Sequence, residues 1–157
     1  MTEKLNLTRR RLTASLLLTP LVPSLRATVA GEPAIGVWTG PGCGCCHEWI
    51  KHLQAKGFAV TTHDGGNGEA RTRLGMPVQY SSCHTGEVDG YAIEGHVPAR
   101  EIHRLLGERL DAIGLSVPAM PRGSPGMDGP AYGNVVDPYD VLLVRRNGSA
   151  IVYRSYR

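Results

Sequence analysis

Residues 34–56, AIGVWTGPGCGCCHEWIKHLQAK, set a short apolar run against a helical one, with three cysteines in the turn between them. Ala34 to Thr39 is apolar and bounded by Gly and Pro, which suits a buried strand. From Cys45 to Lys56, Trp49, Ile50 and Leu53 recur at helical spacing, and Gly57 stops the run as a C′ glycine does. Cys43, Cys45 and Cys46 therefore fall at a helix N-terminus, where unpaired N–H groups and the helix dipole favour thiolate. Cys43 and Cys46 form C-x-x-C, and Cys45 adds a vicinal thiol that a plain dithiol does not need.

Downstream, Phe58 to Thr62 reads as a second strand, and the glycine-rich loop 64–68 leads into a short helix near Glu69 to Leu74. This β-α-β start predicts a parallel pair joined by a right-handed crossover. Ser81 to Val88 and Tyr91 to Gly95 flank Asp89-Gly90, a tight hairpin signal. Pro98 can open a helix whose buried face is Ile102, Leu105 and Leu106. Gly114 to Pro138 holds five glycines and five prolines, which predicts a long ordered loop without regular structure. Asn147-Gly148 then joins two strands, Tyr139 to Arg145 and Ser149 to Tyr153. The order β-α-β-α-β-β-α predicts an α/β fold: a thioredoxin-like three-layer sandwich with a mixed β-sheet, a long Pro/Gly loop and a C-terminal β-hairpin.

Upstream, Arg9-Arg10-Arg11 precedes the apolar stretch Leu12 to Leu18, and Thr28-Val29-Ala30 supplies small residues for cleavage. Residues 1–30 read as a twin-arginine-like export signal, leaving 31–157 as one domain destined for the periplasm. An ordinary secretory signal or an uncleaved anchor are the other readings of that segment. Five of the 17 basic residues and one of the 14 acids lie in it, so the remainder carries 12 and 13, a formal net charge of −1. The basic balance of the full chain thus belongs to the signal, and a nucleic-acid partner loses its support. No later apolar run is long enough for a membrane span.

Two disulfides would be the ordinary use of four cysteines in an exported chain. Adjacent Cys45 and Cys46 resist that use, and only Cys83 lies apart from the cluster. Three readings stay open: a structural disulfide with a spare thiol, dithiol redox chemistry through Cys43 and Cys46, and metal ligation. Six histidines, together with Met76, Met120 and Met127, enlarge the soft-ligand inventory. Thiolate and thioether ligands select cuprous copper, whereas zinc takes thiolate and imidazole. Met120 and Met127 lie among Gly and Pro rather than on an apolar stripe. His96, between a strand end and a helix start, is a candidate ligand, and His47 could ligate or tune a thiolate. Cys83-His84 is weaker alone, because neighbouring strand residues point to opposite faces. His52 and His103 read as solvated helix faces, and His63 as a strand end.

Pro41-Gly42-Cys43-Gly44-Cys45-Cys46-His47-Glu48-Trp49, Ser82-Cys83-His84-Thr85, Asp89-Gly90-Tyr91, Glu94-Gly95-His96-Val97-Pro98, Val117-Pro118-Ala119-Met120-Pro121 and Gly123-Ser124-Pro125-Gly126-Met127 occur in that order. Together they resemble the CopG-like family of periplasmic copper-resistance proteins, over about Ile35 to Tyr153. The resemblance implies a thioredoxin-like domain that binds cuprous copper, a multinuclear cluster among its forms, and cycles it between oxidation states. It implies Cys43, Cys45, Cys46 and Cys83 as thiolate ligands, with His96, Met120 and Met127 supplementary. It also implies copper-export or copper-chaperone proteins as partners. Ala119 departs from the family, which usually has glycine there. A thiol-disulfide oxidoreductase and a zinc-dependent structural module are the competing functions.

Overall fold

The computed structural model describes residues 31–157, so the export-signal reading of residues 1–30 lies outside the described residues. Among the described residues, seven strands and three helices follow as β1 (Ala34–Thr39), α1 (Gly44–Ala55), β2 (Ala59–Asp64), α2 (Gly68–Arg73), β3 (His84–Val88), β4 (Tyr91–Gly95), α3 (Ala99–Glu108), β5 (Ala112–Val117), β6 (Tyr139–Arg145) and β7 (Ala150–Tyr156). Short 3-10 turns occupy Val78–Tyr80 and Pro130–Tyr132. All strands join one mixed sheet in the order β2-β1-β3-β4-β5-β6-β7, with β1–β2 and β4–β5 parallel and the other neighbours antiparallel. The α/β class, the mixed sheet, the Pro/Gly loop and the terminal hairpin are those expected from the sequence.

Alternation along the strands divides the interior into two clusters. Tyr91 and Ile93 of β4 join Ile35, Val37, Leu115 and Val141 beneath Trp49 and Leu53 of α1 and Ile102 and Leu105 of α3. Ala92, between them, points the other way into a smaller cluster with Met76, Ile113 and Val144, backed by Leu74 and Tyr80. The sheet is thus covered on both faces, which period-2 strand geometry requires of strands buried throughout.

Helix α1 ends as its glycine predicts. The Gly57 N–H bonds the Gln54 carbonyl and the Phe58 N–H bonds the Leu53 carbonyl, a Schellman closure with Gly57 at φ 82 and Phe58 buried. The first hairpin turns at Asp89-Gly90, with φ of 48 and 79, both left-handed as a type I′ turn demands.

Three expectations require correction. Residues 112–117 form β5, a fully buried strand, where the long loop was expected from Gly114 onward; the irregular segment is 118–138. Gly114 hides the strand because the chain needs a bare α-carbon there: a Cβ would run into the Ala92 backbone of β4, beside a bulge between Ala112 and Gly114. Ser116, the other interruption of the apolar run, is buried and donates to the Tyr80 carbonyl at 2.8 Å. Secondly, β3 begins at His84 rather than Ser81, so Cys83 stands outside the ladder. Thirdly, His52 is half-buried and accepts the Ala99 N–H at 3.2 Å, tying α1 to the start of α3.

Candidate metal centre

Strand directions bring the sulfur-bearing segments to one edge of the sheet. β3 runs antiparallel to both β1 and β4, so the ends of β1 and β4 and the entrance of β3 lie side by side. Thr39 pairs with His84, and the chain then turns through Gly42, at φ 74, into Cys43, the N-cap residue of α1. Cys43 does not cap the helix with its side chain. Its sulfur instead forms a disulfide with Cys46, which is fully buried. Cys45 and Cys83 are free thiols, each half-buried. The Cys45 Sγ lies 3.6 Å from the Cys43 Sγ, and the Cys46 Sγ lies 3.9 Å from the Cys83 carbonyl oxygen. All four cysteine sulfurs fall within 4.8 Å of one another.

Cys83 is also the meeting point of two buried imidazoles. Its Sγ lies 3.3 Å from His84 Nδ1 and 3.3 Å from His96 Nε2. The far nitrogens fix the tautomers. His84 Nε2 faces the Gly95 carbonyl at 2.9 Å, and His96 Nδ1 faces the Pro125 carbonyl at 2.9 Å. A carbonyl only accepts, so both far nitrogens carry the proton and both near nitrogens present a lone pair to sulfur. A single S–H can satisfy one lone pair and leaves the other facing sulfur. Two imidazoles oriented through carbonyls, with bare nitrogens converging on a thiol, are a group able to hold a metal ion, with the outer hydrogen bonds of such a site in place.

Electrostatics agree with that donor set. Burial, reinforced by His96, lowers the His84 pKa to about 3 from an ordinary 6.5, and burial lowers that of His96 too. Both rings are therefore neutral at pH 7, with a lone pair free for a donor role. Burial and the neighbouring Cys45 push the Cys83 thiol up to about 12, so it keeps its proton at pH 7. Trp49 supports the site from below: its ring lies 4.2 Å from that of His84, and its N–H donates to the Val97 carbonyl at 2.8 Å.

Of the expected ligands, Cys43, Cys45, Cys46, Cys83 and His96 come together here. Met127 is buried on the 118–138 loop, just after Gly126, which seats against the Cys45 carbonyl and the Trp49 N–H. Met120 is 49% exposed, on the wall of a groove with Pro118, Pro121 and Tyr139. Met76 packs in the smaller core cluster. His47 is exposed, its Nδ1 2.8 Å from the Cys43 carbonyl. His84, left open as a ligand by the sequence, lies beside Cys83 as well. Alternation would have sent it away from Cys83, but alternation begins only at His84 itself, and Cys83 precedes the strand.

The fold and site define an α/β protein with a thiol-rich metal-ligating centre at one sheet edge. A family profile described as "Protein of unknown function, DUF411" matches residues 80–127, and no curated protein matches the chain. Two solved structures match over 80% of the chain, both of a protein named copper resistance protein copG. Form 2 is 47% identical with a TM-score of 0.73 and 99% of its own chain covered. Form 1 is 49% identical with a TM-score of 0.72 and 98% covered. The chain belongs to the CopG-like family of copper-resistance proteins.

Proposed function

We propose that this protein is exported to the periplasm, binds cuprous ion at the sulfur edge of its sheet and serves copper resistance by sequestering the ion or passing it to copper-export or chaperone proteins. The observation that carries the reading is the convergence of four cysteine sulfurs within 4.8 Å, with two neutral imidazole lone pairs aimed at Cys83. Thiolates at that spacing can bridge adjacent monovalent ions, which gives the third clustered cysteine a use and favours a multinuclear site. Cys43, Cys45, Cys46 and Cys83 supply sulfur, His84 and His96 nitrogen, and Met120 and Met127 are the supplementary thioether ligands. The same thiols can reduce copper. Two cupric ions each take one electron, Cys43 and Cys46 join as a disulfide, and two protons leave. The test is copper-edge absorption spectroscopy with competition titration on the reduced protein. Sulfur-dominated cuprous coordination, with fewer sulfurs in Cys83→Ser, is expected; trace binding of cuprous ion only would refute the proposal.

The Cys43–Cys46 disulfide favours a second reading, a thiol-disulfide oxidoreductase with Cys43 as nucleophile and Cys46 as resolving thiol. Efficient insulin reduction that survives Cys45→Ser would select it over copper binding.

A further inference from the structure

Cys83 stands one residue outside β3, so no ladder hydrogen bond fixes it. What fixes it instead is the residue before. The Ser82 N–H donates to Glu94 Oε1 at 2.7 Å. The Ser82 carbonyl accepts from Arg71 at 3.0 Å and from Asn67 Nδ2 at 3.2 Å. The Ser82 hydroxyl donates to the Ala119 carbonyl at 2.6 Å, one residue before Met120. Glu94, wholly buried, is the hub: it also accepts from Arg71 Nε at 3.0 Å and from the Thr85 hydroxyl at 2.6 Å.

A carboxylate removed from water and paired with a guanidinium adds little net stability compared with an apolar residue of the same volume. What this pair does provide is direction. Every side-chain hydrogen bond it makes runs to Ser82 or Thr85, the residues that bracket Cys83 and His84, or to Arg71, which holds the same Ser82 carbonyl. We infer that Glu94, with Arg71, is the positioning residue of the metal centre, acting through Ser82 to keep the Cys83 sulfur between the His84 and His96 lone pairs. The inference rests on the proposed copper reading for its functional meaning and on this hydrogen-bond set for its geometry.

The test is Glu94→Gln, nearly isosteric but uncharged, read by chelator competition for cuprous ion in two backgrounds. In the otherwise native reduced protein, affinity is expected to fall about 10-fold or more, the range for losing an outer partner of a ligand. In the Cys83→Ser background the same change is expected to leave affinity within about twofold, because the residue it positions is gone. Val144→Ala, a truncation in the smaller core cluster, is the control for destabilisation alone and is expected to leave affinity within about twofold. Unchanged affinity in Glu94→Gln, an equal fall in the Cys83→Ser background, or an equal fall in Val144→Ala overturns the inference. Thr85→Val, which removes only the hydroxyl donor to Glu94, takes the same tests should Glu94→Gln not fold. A readout without metal separates this inference from the copper reading. With Cys43, Cys45 and Cys46 changed to Ser, Glu94→Gln is expected to raise the rate of Cys83 alkylation by iodoacetamide, and an unchanged rate overturns the positioning role even if copper binds.

Discussion

At His84 the competition between burial and protonation has a measurable consequence. The unfolded ring takes a proton near pH 6.5, whereas the native ring resists it until about pH 3. Between those values the unfolded chain binds a proton that the native chain does not, so stability is fully present above pH 6.5 and is lost as pH falls through that window. The expected acid limb steepens toward about 1.4 kcal/mol per pH unit for this one group. His96, shifted the same way, adds to it. Urea unfolding of the metal-free protein from pH 7 to pH 4 would measure the slope, and His84→Asn should flatten it. A native slope unaffected by that substitution would mean that the ring is not held neutral. Residues whose chemistry needs no context were legible in the sequence: the cysteines by type and spacing, and His96 by its place between strand and helix. His84 was not, because its place beside Cys83 depends on β3 beginning at His84, so that Cys83 lies before the strand and alternation does not separate the two side chains.

Among the elements, the 118–138 loop has one point of contact with α1 that a single methyl group would disturb. Gly126 sits at φ 84, and a Cβ there would lie 2.6 Å from the Cys45 carbonyl oxygen and 2.7 Å from the Trp49 nitrogen. Both obstacles are helix backbone and cannot swing aside, so Gly126→Ala must lift the loop off the helix. Overpacking with left-handed strain is expected to cost about 2–4 kcal/mol. Gly133→Ala, left-handed at φ 69 and ψ 18 with only an ordinary 3.7 Å approach to Val135, should incur only the backbone strain, about 1–2 kcal/mol. Thermal unfolding of both variants gives the comparison, and equal losses would show that the Gly126 contact is not tight. The hairpins and the end of α1 were legible because Asp89-Gly90, Asn147-Gly148 and Gly57 are local signals with local causes. β5 was not, since Gly114 answers a neighbour 22 positions earlier in the chain, Ala92, whose backbone approaches too closely for any side chain. Long-range contacts of that kind leave no local mark, and glycine among prolines then reads as loop.

For the whole molecule, thiol oxidation and metal capacity draw on the same sulfurs. Closing Cys43 to Cys46 withdraws two of the four thiolates and leaves Cys45, Cys83 and the two imidazoles. A disulfide sulfur carries no negative charge and is a poor ligand beside a thiolate, so the oxidised form should hold fewer cuprous ions than the reduced one. Export to an oxidising compartment, proposed from residues 1–30, would then make loading depend on a thiol reductant or on arriving cupric ion being excluded. The chain's own geometry suggests where reduction starts. Cys46 is sealed in the core while Cys43 is partly exposed at the N-cap, so an external thiolate reaches Cys43 first and Cys46 departs as the leaving group. Cuprous titration under anaerobic conditions is expected to give a lower stoichiometry for oxidised protein, restored by pre-reduction. A Cys43→Ser, Cys46→Ser double variant should show the lower value whatever its treatment. Equal stoichiometry in oxidised and reduced wild-type protein would place the bound ions entirely on Cys45, Cys83, His84 and His96, and would remove the disulfide from any part in copper handling.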